Sequence, residues 1–570
     1  MKIKTGALFL LTIVILSPFF SSGQKTKIPA NKLKDMHEEA MDDPYLPNAF
    51  QNKKTSPSFQ FNGKASFNKL MSTSVFTRQV NVDVSGQNIL GDAGNEPSLA
   101  VNPLNPQEIL IGWRQFDNVT SNFRQAGRSY STDGGQTWTF PGVINPGLFR
   151  SDPVLDFDNS GNFYYNSLSH DSITNSYPCT IFKSSNGGVT LDTGTSIGGG
   201  DKQWMTIDRT SGPGNNNIYS TWTSGYSSCL PGFFTRSSNG GVSYENCIAV
   251  DGDPFWMNMA TGNAGELYIG GGSNQTTDSL VVVKSTNAQI PASIIAWDPP
   301  VFVYMDGNIS GWAINTAGIT GQVNIDIDHS NGPGQGNVYL LASLERISNA
   351  DPSDVMFVKS TNGGLTWSSP LRINDDISST NNQWFGTMSV APNGRIDVIW
   401  LDTRNVSTVL DESALYYSYS TDQGTTWSAN EMLSPTFDPH IGYPNQNKMG
   451  DYFDMVSDNA GANLAWANTL NGEQDVFYSR IIPPVAIAVN ENSNININIF
   501  PNPNDGTFVI KGLIKPSQIE LYTLQGEIVY SKSIRKSSDE INISTLSSGI
   551  YFMKLVDADG NSIIRKIIRK

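Results

Sequence analysis

Short runs of alternating apolar and polar residues recur along the whole chain. In "CTIFK" and "ALYYSYS" large apolar or aromatic side chains fall at every second position, the period of a half-buried strand. Others come in pairs about a Gly/Asn turn. "VLDFDNSGNFYYNSL", "WMTIDRTSGPGNNNIYSTW" and "SVAPNGRIDVIWLD" each predict two antiparallel strands.

One turn is repeated between such runs: "STDGGQTW" at Ser131, "SSNGGVTL" at Ser184, "SSNGGVSY" at Ser237, "STNGGLTW" at Ser360 and "STDQGTTW" at Ser420, with a vestige, "STNAQ", at Ser285. The first three copies are about 53 residues apart, the length of a four-stranded unit with generous loops. Each copy follows one alternating run and precedes another, such as "PLRINDD", so it reads as a hairpin turn. Asp133, Asn186, Asn239, Asn362 and Asp422 are placed to bond the local backbone, Gly135 or Gly188 to take positive φ, and Trp138 or Trp367 to pack between sheets. Units then begin near Glu96, Asp152, Asp201, Asp253, Val323, Gln383 and Asp451, seven in all. The last supplies three strands, and its fourth is expected in "RQVNVDVSG" from Arg78, which closes a ring without exposed sheet edges. The fold class is therefore all-β: a seven-bladed β-propeller followed by a small C-terminal β-sandwich.

Composition agrees with this. Charged residues are only 16% and aromatics 10%, with 52 glycines. The net charge of -15 argues against a nucleic-acid partner, because a phosphate-binding surface needs clustered Lys and Arg. The N-terminal "MKIKTGALFLLTIVILSPFFSSGQ" has the grammar of a secretory signal, and no later segment is long and apolar enough to span a bilayer as a helix. Three cysteines are too few for a disulfide framework. Cys229 and Cys247 flank the turn "SSNGG" symmetrically and can pair across it, leaving Cys179 free.

The repeated turn resembles the Asp box of the sialidase-like (BNR-repeat) propellers, over roughly Thr77 to Pro483. Beyond it, "IFPNPNDGTFVI", "IELYTLQGEIVY", "INISTLSSGIYFMKL" and "IIRKIIRK" follow in order and resemble the type A C-terminal sorting domain of the Bacteroidetes type IX secretion system. That resemblance implies a partner, the secretion machinery, and a product secreted or attached to the outer cell surface. The expected organisation is a signal peptide at 1–23, a flexible leader at 24–75, the propeller at 76–483, a linker at 484–493 and the sorting domain at 494–570.

In such a ring the repeated turns mark one face, and function is expected at the other, where first strands start and second strands end. The starts carry Glu96, Asp152, Asp201, Asp253 and Asp451; the ends carry Arg114, His170, Arg346, Asp402 and Arg404. Arg150, His440, Tyr443 and Tyr452 lie in or beside the connections there, with Trp204, Trp256 and Trp384 near the same rim, where an indole can stack on a sugar. Converging carboxylates repel unless arginines, a metal or raised pKa values balance them.

The sialidase resemblance implies three arginines for a substrate carboxylate, a tyrosine nucleophile and an aspartate acid/base. Arg114, Arg150 and Arg404 fill the first role, Tyr443 or Tyr452 the second, and Asp152, Asp201 or Asp451 the third, with Asp402, His170, His440 and Trp204 completing the glycan contacts. The family's Phe/Tyr-Arg-Ile-Pro motif is absent, and the nearest text is "FRSDP" at Phe149. Two alternatives stay open. One is a lyase on acidic polysaccharide, using His170, His440 and Tyr443 as base and acid; the other is a glycan-binding or surface-interaction protein without catalysis. No cofactor or metal is expected: "DRTSGPGNNN" and "DHSNGPGQGN" lack EF-hand spacing and read as turns.

Overall fold

The computed structural model describes residues 45, 54–64, 72–309, 313–349, 351–405, 411–484, 497–523, 528–535, 537–558 and 562–570. The expected signal peptide, most of the leader and nearly all of the linker lie outside them. The chain divides into two compact units, Met1–Pro484 and Val485–Lys570.

Among the described residues the first unit contains seven antiparallel sheets of three to five strands in chain order and one separate two-stranded pair. Strands pair consecutively except Gly307–Asn308, which pairs with Val338–Arg346, and the N-terminal strand that joins sheet seven. Their first strands are Ala93–Val101, Arg150–Phe157, Trp204–Ile207, Phe255–Thr261, Asn324–Ile327, Gln383–Val390 and Asp454–Ser457. Each first strand neighbours that of the next sheet, and the seventh neighbours the first, so the sheets form a closed cycle. Five of these strands are buried along nearly their whole length, while Asn324–Ile327 and Asp454–Ser457 alternate buried and half-buried positions.

The ring closes through the N-terminal strand Ser74–Gln79, which pairs with Asp475–Ile482 in sheet seven, from Ser74 opposite Ile482 to Gln79 opposite Phe477. The closing strand thus starts before Arg78, four residues ahead of the expected run. Gln60–Lys64 adds a fifth strand outside it, and Thr55–Pro57 pairs with Gln87–Ile89. Part of the expected flexible leader is therefore sheet. Its side chains show why: Phe59 and Phe61 pack on the cluster around Phe477 and Trp466.

Each repeated turn is held by one pattern of bonds. Ser131 Oγ donates to Asp133 Oδ1 at 2.8 Å and accepts from Gly135 N at 2.9 Å, while Asp133 Oδ1 accepts from the amides of Gln136 and Thr137. Asn186, Asn239, Asn362 and Asp422 repeat the contact to the residue four positions on. Gly135 has φ 83°, and a Cβ there would strike the Tyr478 ring, against which Trp138 also packs at 5.4 Å. The turn therefore ties one sheet to its neighbour.

First strands carry a feature that the alternation hides. Bulges interrupt four of them, placing Glu96, Asp152, Trp256 and Phe385 at φ of 49°, 47°, 48° and 55°. Just ahead of the other three stand Lys202, Gly321 and Gly450, also with positive φ. A bulge re-aims its side chain, and non-glycine residues in this region carry a cost that packing must offset.

The second unit has two antiparallel sheets, Asn498–Phe500, Thr507–Lys511 and Ser538–Asn542 in one, and Ile528–Ile534, Ser517–Tyr522, Gly549–Asp557 and Ser562–Arg569 in the other. Phe508, Ile510 and Ile541 from the first share a core with Ile519, Met553 and Ile567 from the second.

Candidate functional site

Four of the expected acids come together and are buried, Glu96 and Asp152 at bulges and Asp201 and Asp451 in the turns just ahead of their first strands. Glu96, Asp152, Asp201 and Asp451 have no more than 1% of their surface exposed. Two lysines lie among them. Lys202 Nζ is 2.7 Å from Asp451, 3.3 Å from Asp152 and 3.5 Å from Asp201; Lys448 Nζ is 2.5 Å from Asp451 and 3.4 Å from Glu96. Arg114 Nε is 3.3 Å from Glu96, and Arg124 reaches the cluster through Ser151, whose hydroxyl donates to Asp152. Four carboxyl groups thus meet four cations.

Their protonation follows from burial and pairing. Burial raises Glu96, outweighing the pull of Arg114, and it raises Asp201 in spite of Lys202. Asp152 is equally buried, yet Lys202 and Arg114 hold it well below the usual carboxylate range. Tyr452 sits beside them, its hydroxyl donating to Pro153 O at 2.8 Å, and burial drives its pKa up. The cluster pairs each buried carboxyl group with a buried cation and so links the starts of the first, second, third and seventh sheets.

The remaining rim residues do not join it. Arg150 is buried, lies over the Phe182 ring at 4.8 Å and donates to Asn145. Arg404 donates to Asp402 at 2.9 Å and to Asp375 at 2.6 Å, and stacks on Tyr416 at 4.4 Å. Arg114, Arg150 and Arg404 therefore each serve a different set of partners. Tyr443 packs on His440, its hydroxyl buried without a hydrogen-bond partner, and burial raises its pKa. His440 contacts Asp438 and Ile314 O, whereas His170 contacts Asn175 and the Tyr177 ring. Trp256 and Trp384 are fully buried core residues. Cys229 and Cys247 form a disulfide, and Cys179 is a buried thiol whose pKa burial pushes up to about 12.

An open cavity lies elsewhere. A cup of about 600 Å³ sits within the cycle of first strands, and its mouth is formed by the turns after them: Asn102 and Pro103, Arg209 to Ser211, Asn263, His329, Pro392 and Asp458. This is the face of the repeated turns, as Gly134 N bonding to Gln107 O shows. The cup thus opens opposite the rim where function was expected. Trp204 lines its inner end, edge-on to Tyr452 at 5.5 Å, and beyond Tyr452 is the acid cluster.

The cup's carboxylates are mostly engaged in joining sheets. Asp156 accepts from Ile207 N and from Arg209, Asp326 from Val390 N, and Asp454 from Leu99 N and Ser98 Oγ. First strands are sheet edges, and these side chains take up amides that the edge leaves unpaired. Burial raises both Asp326 and Asp454 to about 6. His329 in the mouth is held below the usual histidine range by the crowding around it and by Arg209. Among the described residues, no three His, Cys, Asp or Glu side chains are grouped to hold a metal ion.

Residues 498–570 match the family described as Secretion system C-terminal sorting domain. The C-terminal unit is a type IX sorting domain. The protein is accordingly exported, either secreted or attached to the cell surface, and no helix among the described residues is long and apolar enough to cross a membrane. No curated protein matches the chain. Among solved structures it is similar to a protein of unknown function from Dyadobacter fermentans (13% identity, 71% of this chain and 98% of that one, TM-score 0.40). It is also similar to the phage phi92 endosialidase (9%, 92% and 84%, 0.41) and a Hadza microbial sialidase (11%, 73% and 74%, 0.36). Similarities this distant leave the fold to be read from the chain's own sheet pairings.

Proposed function

We propose that this exported protein is a sialidase-like propeller of seven blades, with a C-terminal β-sandwich for sorting, that binds glycans and does not cleave them. The observation that carries this reading is the burial of Asp152, Asp201 and Asp451 in a cluster matched by Lys202, Lys448, Arg114 and Arg124. Sialidase-type hydrolysis needs an accessible acid/base and a tyrosine activated by a carboxylate. Tyr452 instead donates to a backbone carbonyl, and Tyr443 has a raised pKa with no hydrogen-bond partner among the described residues. Lyase chemistry is disfavoured by the separate partners of His170 and His440.

The test is to incubate the exported protein with a sialylated glycoprotein and with uronate polysaccharides, and in parallel to measure its retention on immobilised glycans. The expected result is retention without released sialic acid or unsaturated uronate. Release of sialic acid or of unsaturated uronate would overturn the reading.

A further inference from the structure

We propose that the cup on the repeated-turn face is the glycan site, and that it takes the end of a neutral oligosaccharide. This deepens the binding reading above and rests on it. At about 600 Å³ the cup is in the size range of ligand pockets, roughly 300–1,000 Å³, and admits one or two sugar rings. Its lining alternates two kinds of surface. Met205, Met259, Met388 and Trp204 give apolar faces for the C–H side of a pyranose, while Asn258, whose Oδ1 accepts from Met259 N, offers its NH2 group to a hydroxyl.

Charge selects the neutral class. Asp156, Asp326 and Asp454 line the wall, and the guanidinium that faces them, Arg209, is bonded to Asp156 at 2.6 Å. A sialic acid or uronate would bring a further negative charge to a wall of three carboxyl groups whose facing guanidinium, Arg209, is already paired with Asp156. Arg209 is 37% exposed and stacks on Phe157 at 4.3 Å, so it presents N–H donors in a fixed orientation at the mouth, where hydroxyls can accept them.

The experiment measures binding of the exported protein to neutral tri- and tetrasaccharides, and to sialylated and uronate-bearing ones of equal length, by calorimetry. Thr206→Trp and Met259→Trp each fill the cup, and Ile377→Ser alters a fully exposed position in a connection on the opposite face. Thermal melting checks that all three fold. We expect neutral oligosaccharides to bind, each filling variant to weaken them at least tenfold, and Ile377→Ser to leave them unchanged. If neutral sugars bind and both folded filling variants keep full affinity, the cup falls and the binding reading stands. Binding confined to anionic sugars overturns the neutral assignment, and binding of no sugar overturns both. If turnover is found, the non-catalytic reading falls, while the filling variants still decide whether the cup is the site.

Discussion

Replacing Lys202 with methionine removes one cation from the closed acid cluster while keeping most of the side chain's volume. Lys202 is within 3.5 Å of Asp152, Asp201 and Asp451, and it is 1% exposed. Without it, carboxylates at that point face one another in a site that water does not reach. Breaking a buried pair from one side costs about 3–5 kcal/mol, since the abandoned charge stays desolvated. In a folded unit of about 400 residues, that loss lowers the melting temperature by about 4–6 °C. Calorimetric melting and urea denaturation of the exported protein check it. A double variant, Lys202→Met with Asp451→Asn, should recover part of the loss, because the amide removes the carboxylate that lay nearest the missing ammonium. If Lys202→Met stays within about 1 kcal/mol of the wild type, the cluster is hydrated and open, and the case for its being structural fails.

Other consequences are as direct. Asp133→Ala removes the acceptor for two amides and the Thr137 hydroxyl in the first turn, and should cost about 1–2 kcal/mol in denaturation, with the fold retained. Opening the Cys229–Cys247 link by replacing both residues with serine frees a loop of 18 residues and should cost about 3 kcal/mol, read as a lower denaturation midpoint. Asp326 and Asp454 bind a proton more tightly when folded, at about 6, than in the unfolded chain. Their contribution to stability is therefore greatest below the unfolded pKa and falls as pH rises through about 6; Asp454→Asn should flatten this slope between pH 4 and 6.5. A chain ending before residue 498 should accumulate inside the cell envelope, as fractionation would show, because the sorting domain is gone.

What could be read from the sequence was set by local chemistry. The Ser-x-Asp/Asn-x-Gly turn satisfies its own backbone within five residues, so its text survives in copy after copy. The four C-terminal motifs were likewise recognisable as a series. The acids were visible because they follow a repeat, but their partners were not. Lys202 and Lys448 look like ordinary surface lysines in "DKQ" and "QNKMGD", yet the turns that lead into the first strands at Trp204 and Asp454 bury both. The one available signal was a cation beside an acid at the start of a first strand. The cup was hidden for the opposite reason. Asp156, Asp326 and Asp454 sit in alternating strand text where a polar residue reads as solvent-facing, and solvent in this case is the inside of a ring. Phe59 and Phe61 were too few to reveal a strand in the leader.

The pairing of Ser74 with Ile482 joins residues at nearly opposite ends of the first unit, so the ring is fastened by hydrogen bonds and side-chain packing and not by a covalent link. A ribosome must have passed residue 482 before that seam can form, and from residue 498 it enters the sorting segment. Any product cut short within the ring is thus both unfastened and unaddressed. Completeness and destination are written in adjacent stretches, and the molecules delivered outside are those long enough to have closed.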